Sequence, residues 1–329
     1  MNKIDLLAVG DITVDSFIRI TDATVHCEIN RELCKLCVDF GEKIPFESVD
    51  DVPAVGNASN AAVAFRRLGF DSAVVTDLGK DIGGKTCLDQ LNQEGVRTDW
   101  ITAHEGLPTN HHFVLWYDDE RTILVRHTPY PYKLPALPDC AWMYLTSIGA
   151  DSETYHKEIA AHLESHPDIK LVFQPGTFQI KMGLPKMAPF YKRAEVVAVN
   201  ATEAGRIIGG TLTIPDLLSE LQKLGPKIVL ITDGREGAYL FDGEERWHLP
   251  IFPDAKPALQ RTGAGDATTS TLAAYLSLGY SPIESLKRGH INARSVVQNV
   301  GAQKGLLNRE AIEKSLAEAP PEFVAKKLI

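Results

Sequence analysis

Between Trp142 and Thr232 the chain alternates short apolar runs with helix-length segments, and this alternation restricts the fold more than any single motif. Trp142–Leu145, Lys170–Phe173, Glu195–Val199 and Lys227–Thr232 read as strands. Glu153–Glu164, Thr202–Ile208 and Asp216–Leu224 read as helices. Repeated strand–helix units predict an α/β fold, a mostly parallel central sheet flanked by helices on both faces. Ile4–Gly10 and Ser72–Leu78 add two strands, and Ala61–Leu68, Leu88–Glu94, Ala267–Leu278 and Pro282–Val300 add helices. Residues 12–50 break the pattern. They hold short alternating runs, Asp15–Ile20 and Leu33–Phe40, and read as a small β excursion. Asn110–Tyr117 and Thr122–Arg126 form a hairpin, and Pro129, Pro131, Pro135 and Pro138 mark a linker back to the main body. A second hairpin, Ala238–Phe241 with Arg246–Leu249, turns at Asp242-Gly243.

Composition narrows the function classes. The 329 residues are 44% hydrophobic and 23% charged, an ordinary globular balance. The formal net charge of −9 argues against nucleic-acid binding through a basic face. No apolar run approaches the roughly 18 residues of a membrane span. The N-terminal residues lack a signal-peptide layout. We therefore expect a cytoplasmic protein with no nucleic-acid or membrane partner. Five cysteines, an odd number, argue for reduced thiols. Cys34 and Cys37 have zinc-like spacing but no second pair, so they read as small packed hydrophobes.

Chemistry concentrates at a few glycine-bearing turns. Arg261-Thr262-Gly263-Ala264-Gly265-Asp266 runs into a helix. Gly263 and Gly265 allow a sharp turn and close approach of backbone to ligand. The unpaired N–H groups of the following helical turn suit an anion. Asp266 beside such a site reads either as a helix cap or as a base that deprotonates an attacking group. Gly56-Asn57-Ala58-Ser59-Asn60 opens another helix; capping needs one asparagine, and the second is free for ligand hydroxyls. Asn200 and Glu203 read as a capping box or as a polar pair near a metal-bound phosphate. Thr232 to Gly237 reads as a strand turn or as a glycine loop meeting a nucleotide. Gly79 to Thr86 matches the phosphate-binding P-loop pattern, with Lys85 and Thr86 in its key positions. The alternative there is an ordinary strand-to-helix turn with Asp81 near the helix start and Gly95 ending it.

Together Gly56–Ala61 and Thr262–Asp266 resemble the two signatures of the ribokinase-like (PfkB) family of carbohydrate kinases. Gly10-Asp11, Asp15, the Asn200–Glu203 step, Gly234–Gly237 and Gly301-Ala302 agree with its layout. Gly79, Asp81 and Gly84 match the family's own Gly-x-Asp-x-x-Gly, which makes the P-loop match coincidental. The resemblance implies a single α/β domain over residues 1–329 with a small β-sheet lid from segments 12–50 and 108–128. It implies ATP-dependent phosphorylation of a hydroxyl on a small sugar or nucleoside. A binder that kept the fold without catalysis is the alternative of another class. By similarity, Asp266 is the general base, and Gly263, Ala264 and Gly265 form the anion hole. Asp11, Asp15, Gly56, Asn57 and Asn60 bind substrate hydroxyls. Asn200 and Glu203 place Mg2+ and the phosphates of ATP. Thr232, Gly234 and Gly237 contact the nucleotide, and Asn292 lies near the adenine. Val55 stands where many members have a glycine. Gln260 stands where potassium-activated relatives have an aspartate, so activation by a monovalent cation does not carry over. His111, His112 and Gln174 are candidate substrate or lid contacts without an assigned role. Short lid strands leave exposed edges, and we expect a homodimer through the lid.

Overall fold

The computed structural model describes residues 3–27, 34–118, 120–253 and 258–328. The chain opens with β1 (Ile4–Val9), then β2 (Thr13–Ile20), the short pair β3 (Thr24–His26) and β4 (Lys35–Cys37), and β5 (Phe46–Val55). Next come α1 (Asn57–Arg67), β6 (Ser72–Gly79), α2 (Ile82–Gln93) and β7 (Arg97–His104), followed by the hairpin β8 (His111–Tyr117) and β9 (Glu120–Arg126). The middle of the chain holds β10 (Cys140–Leu145), α3 (Glu153–Ser165), β11 (Lys170–Phe173), α4 (Thr177–Met182), α5 (Leu184–Arg193) and β12 (Val196–Asn200). After these come α6 (Ala201–Ile208), α7 (Ile214–Lys223), β13 (Ile228–Thr232), β14 (Ala238–Phe241) and β15 (Arg246–Leu249). The chain closes with α8 (Ala264–Ser277), α9 (Pro282–Val297), α10 (Arg309–Ala317) and β16 (Lys326–Lys327).

Ten strands form one sheet in the order β16-β15-β14-β13-β12-β11-β10-β1-β6-β7. From β13 to β7 every pairing is parallel; the three at the β16 edge are antiparallel. The order runs outward from β1 in both directions, so β1 and β10 border the point where strand order reverses. Ligand crevices form beyond the carboxyl ends of strands at such a point.

Alternate strand residues feed two cores. Leu6, Ala8, Trp142 and Tyr144 pack toward one face with Phe65 of α1, Leu272 of α8 and Ile291 of α9. Leu7, Val9, Met143 and Leu145 pack toward the other with Ile159 of α3, Phe190 of α5 and Leu218 of α7. Both faces are covered, as an all-apolar parallel strand requires.

The second sheet, β5-β2-β8-β9, gathers segments from either side of α1 to β7. Leu33 of the expected run to Phe40 lies outside the described residues, and only Lys35–Cys37 of it is a strand. Three further differences have local causes. α1 begins at Asn57 rather than Ala61 because Gly56, at φ +111°, turns the chain straight into the helix. α8 begins at Ala264 because Gly263, at φ +81°, does the same. α4 and α5 were not expected; Pro185 and Pro189 obscure α5, and Gly183 at φ +84° separates the two.

The expectation of five reduced thiols is corrected. Cys27 and Cys34 form a disulfide, whereas Cys37, Cys87 and Cys140 are free. Cys34 therefore cannot act with Cys37 as a thiolate pair. No helix among the described residues is long and apolar enough to cross a membrane.

Candidate active site

A cavity of about 920 Å³ opens beyond the carboxyl ends of β11, β12 and β13. Its floor holds Gly263–Asp266 at the start of α8 and Gln174 after β11. Asn200, Glu203, Thr232, Gly234 and Gly237 line one side, and β9 contributes Arg121 and Ile123 from the small sheet. Asn57, in the first turn of α1, also faces it. A smaller recess of about 380 Å³ is bounded by Asn200, Glu203, Thr232 and Gly234.

Asp266 is buried, and it is not a cap. Gly263 holds the N-cap position, and no side chain caps the helix. The carboxylate instead accepts two amide hydrogen bonds, from Asn60 Nδ2 at 2.7 Å and Gln174 Nε2 at 2.9 Å. Each donor is held in turn. Gln303 Nε2 donates to Asn60 Oδ1 at 3.0 Å and to the Ala54 carbonyl at 2.6 Å. Tyr144 donates its hydroxyl to Gln174 Oε1. Burial raises the Asp266 pKa, and the two amide donors oppose that rise by favouring the carboxylate. The result is a fixed carboxylate with more proton affinity than an exposed one, facing an open cavity.

The turn before it has the shape its glycines permit. A Cβ on Gly263 would collide with Ala302, so only glycine fits there. A Cβ on Gly265 would meet nothing within 4 Å, which leaves the first-turn N–H groups approachable from the cavity. Gln260 braces this turn. Its Nε2 donates to the carbonyls of Asn299 at 2.9 Å, Thr262 at 3.2 Å and Gly301 at 3.4 Å, and its Oε1 accepts from the Thr262 N–H. Three carbonyls that converge on one point are thus supplied with a donor by the chain itself.

Asn200 and Glu203 do form the capping box. Glu203 N donates to Asn200 Oδ1 at 2.8 Å, and Asn200 N donates to Glu203 Oε2 at 2.9 Å. They also line both cavities. Burial raises the Glu203 pKa; the Asn200 N–H opposes this, and the Asp266 charge adds to it. Gly79–Thr86 lines neither cavity. Asp81 caps α2, accepting from Gly84 N at 2.8 Å, and Lys85 pairs with Asp89. The P-loop resemblance is a strand-to-helix turn.

Asp11 and Asp15 do not line the large cavity. Asp11, after β1, accepts from Gly149 N at 2.8 Å, Tyr132 Oη at 2.9 Å and His127 Nδ1 at 3.0 Å. A Cβ on Gly56 would sit 2.8 Å from the Asp11 carbonyl, so glycine lets α1 abut this strand end. Asp15 of β2 stands opposite His112 of β8. His112 Nδ1 lies 3.3 Å from Asp15 Oδ1, yet Asp15 Oδ1 and His112 Nε2 are buried without a hydrogen-bond partner. His111 points to the other face and contacts Ser16 Oγ at 2.8 Å.

Asn292 lines neither cavity. It is fully buried, donates to Thr271 Oγ1 at 2.8 Å and accepts from Leu307 N at 2.8 Å. The face of α9 turned to the cavity carries His290, Ala293, Arg294 and Val297. Their spacing is helical, and Asn292 falls outside it. His290 Nδ1 meets the Pro250 carbonyl at 2.9 Å, and burial lowers its pKa to about 4. The ring is therefore neutral, with Nδ1–H donating and Nε2 left as an acceptor. Sequence reasoning also missed Tyr144, Gln303 and Tyr132, which lie in ordinary apolar or loop contexts and carry no local signal.

The chain belongs to the pfkB family of carbohydrate kinases, whose model matches residues 40–309. Among curated relatives it is similar to ribokinase of Bacillus subtilis (strain 168), at 29% identity over 286 residues, 84% of this chain and 92% of that protein. Its fold is similar to that of Arabidopsis thaliana ribokinase complexed with ribose and ATP, with a TM-score of 0.77 at 23% identity, covering 96% and 99% of the two chains. Methanocaldococcus jannaschii nucleoside kinase, described as an archaeal member of the ribokinase family, gives the same TM-score at 16% identity, covering 96% and 100%.

Proposed function

We propose that this protein transfers the γ-phosphoryl group of ATP to a hydroxyl of a sugar, with Asp266 as general base. The observation that carries the reading is the placement of Asp266. It is buried, oriented by two amides, and in the same turn as the glycine-flanked N–H groups of Gly263, Ala264 and Gly265. A hydroxyl delivered to Asp266 loses its proton as it attacks, while those N–H groups meet the charge that develops on the phosphoryl oxygens. Phosphoryl transfer asks for positioning and charge stabilisation, and this turn offers both.

In this reading Thr232, Gly234 and Gly237 hold the nucleotide beside the α9 face. Asn292 acts at a distance by fixing α9 against α8. Among the described residues no cluster of three or more His, Cys, Asp or Glu side chains could hold a metal by itself. Mg2+ needs only one or two carboxylates when phosphates supply the rest, and Glu203 in its recess beside Asn200 fits that need. Bound with ATP, the ion would neutralise phosphate charge. Asp15, with an unpartnered Oδ1, and Asn57, facing the cavity, are the groups free to meet acceptor hydroxyls. Asp11, whose Oδ2 accepts three hydrogen bonds, shapes that end, and Asn60 orients the base. We read the chain as one α/β domain whose small sheet is a lid that excludes water during transfer. Its outer face carries exposed apolar side chains among Asp51, Ser16 and Thr122: Val49 beside Ile18, and Phe113 opposite Leu124, are half exposed or nearly so. That face is where we place a homodimer contact.

The test is radiolabel transfer from ATP across pentoses, hexoses and nucleosides. We expect a sugar to be the best acceptor and Asp266→Asn to lower kcat by several orders of magnitude with nucleotide binding retained. Near-normal turnover in that variant would remove Asp266 as the base. Nucleotide binding with no transfer to any acceptor would make the protein a non-catalytic binder.

A further inference from the structure

Four arginines line the cavity: Arg235 and Arg294 lie on the nucleotide side, whereas Arg121 and Arg261 are not explained by the base, the anion hole or the nucleotide side. Arg121 comes from β9, opposite Trp116 of β8. Arg261 immediately precedes the glycine turn. In the same row of the small sheet, Arg19 is fully provided for, with Glu47 at 3.0 Å and the Trp116 ring at 4.9 Å. Arg121 is not: its Nε is buried with no hydrogen-bond partner. Burial lowers its pKa; Glu120 and Asp15 oppose this, while the nearby charge of Arg261 reinforces it. Among the described residues, Arg261 has a rim contact to Glu120 at 3.5 Å and no other ion pair. Such an exposed pair holds the side chain weakly. Two guanidinium groups set near one another repel each other, and the one with a buried unpaired N–H also loses hydration. A structure keeps such an arrangement where an anion completes it.

We propose that Arg121 and Arg261 form a two-sided clamp for phosphoryl oxygens, one jaw on the small sheet and the other at the mouth of the glycine turn. The proposal rests on the phosphoryl-transfer reading above. It adds that the anion site is built from both sheets, so the small sheet supplies binding charge as well as cover. The phosphoryl oxygens come either from the terminal phosphate of the donor nucleotide or from a phosphate carried by the acceptor. Both have the same chemistry, planar guanidinium forks meeting a tetrahedral dianion.

Calorimetry separates the sources without any need for turnover. The probes are β,γ-imido-ATP, ADP, ribose and ribose 5-phosphate, titrated into the full chain and its Arg121→Met, Arg121→Lys and Arg261→Met variants. We expect either methionine variant to weaken the clamped ligand about tenfold to a hundredfold, the scale of a lost charge-assisted hydrogen bond. Arg121→Lys should recover part of that loss. If imido-ATP weakens and ADP does not, the donor's terminal phosphate is the occupant. If ribose 5-phosphate weakens and ribose does not, the occupant is on the acceptor. Unchanged affinity for both phosphorylated probes overturns the clamp. So does an equal loss for ADP and ribose together with a lower Tm, because that marks a structural role. Since Arg121 Nε has no internal partner, its removal should leave Tm unchanged or raise it. Failure of the wild type to transfer phosphate to any acceptor, with Arg121-dependent imido-ATP binding intact, would sink the kinase reading and leave the clamp standing.

Discussion

Asp266 is tuned by residues far from it in sequence. Burial raises its pKa, and the Asn60 and Gln174 amides limit that rise. Removing one donor therefore has a signed consequence. Asn60→Ala takes away a hydrogen bond to the charged form, so the pKa rises further and the acid limb of kcat/KM moves to higher pH. We also expect kcat to fall roughly tenfold or more, since the carboxylate loses one of its two orienting bonds. A pH–rate profile with an unmoved acid limb would show that Asn60 does not set the base. Gln303 belongs to the same chain of contacts through Asn60 Oδ1. Gln260 is a different kind of support. It fastens the backbone of the turn to residues 299–301, so in the proposed mechanism it would support the anion hole rather than the base.

At the scale of elements, the two faces of the small sheet have different work. Directly paired residues share a face, and successive residues alternate. Arg121 and Ile123 of β9 therefore turn to the cavity, and Thr122 and Leu124 turn away. The outward rows carry Val49, Ile18 and Leu115, then Phe113 and Leu124. These exposed apolar side chains, which share the face with Asp51, Ser16 and Thr122, are where we propose association. We expect light scattering at micromolar concentration to give twice the chain mass, and Phe113→Glu to give the single chain mass with activity per site measurable. A monomeric wild type would count against the contact. Helix α9 shows the opposite situation. It is buried on most sides, with Leu286, His290, Ile291, Asn292 and Val296 all buried, so its cavity face cannot be told from its core face by polarity.

For the whole molecule, buried neutral histidines tie stability to pH. His290 has its pKa lowered to about 4 by burial, and that of His156 is lowered as well, chiefly by burial. An unfolded histidine takes up a proton near pH 6.5, while native His290 does not until about pH 4. Between those values the unfolded state binds more protons, so stability rises with pH across the window and is flat above it from this source. The His290 contribution lost on going from pH 7.5 to pH 4.5 is about 2–3 kcal/mol. Raised carboxyl pKa values at Asp266, Asp77 and Glu203 work in the other direction, which makes a difference measurement necessary. Urea unfolding of wild type and His290→Asn at the two pH values isolates the term; we expect a shallower loss in the variant. Equal losses would mean that His290 is not held neutral.

The sequence alone determined the features set by local backbone demands and by periodicity. The alternating strand–helix units gave the parallel sheet, because strand and helix periods are written in neighbouring residues. Gly56 and Gly263 marked the turns that lead into two helices, because glycine takes positive φ where the chain turns, but the helices begin directly after them, earlier than the apolar runs suggested. Asp266 and Asn60 were legible for the same reason, lying within those turns. Tertiary structure decided the rest. It set Asn60 against Asp266 across 206 residues and Gln174 against it across 92. It put Asn292 in the core and His290 at the cavity, and joined Cys27 to Cys34. It also carried Arg121 from the small sheet to the glycine turn. Each of these depends on which face of an element is turned inward and on what a distant segment places there. That is settled when the layers pack, since no single segment buries its own surface.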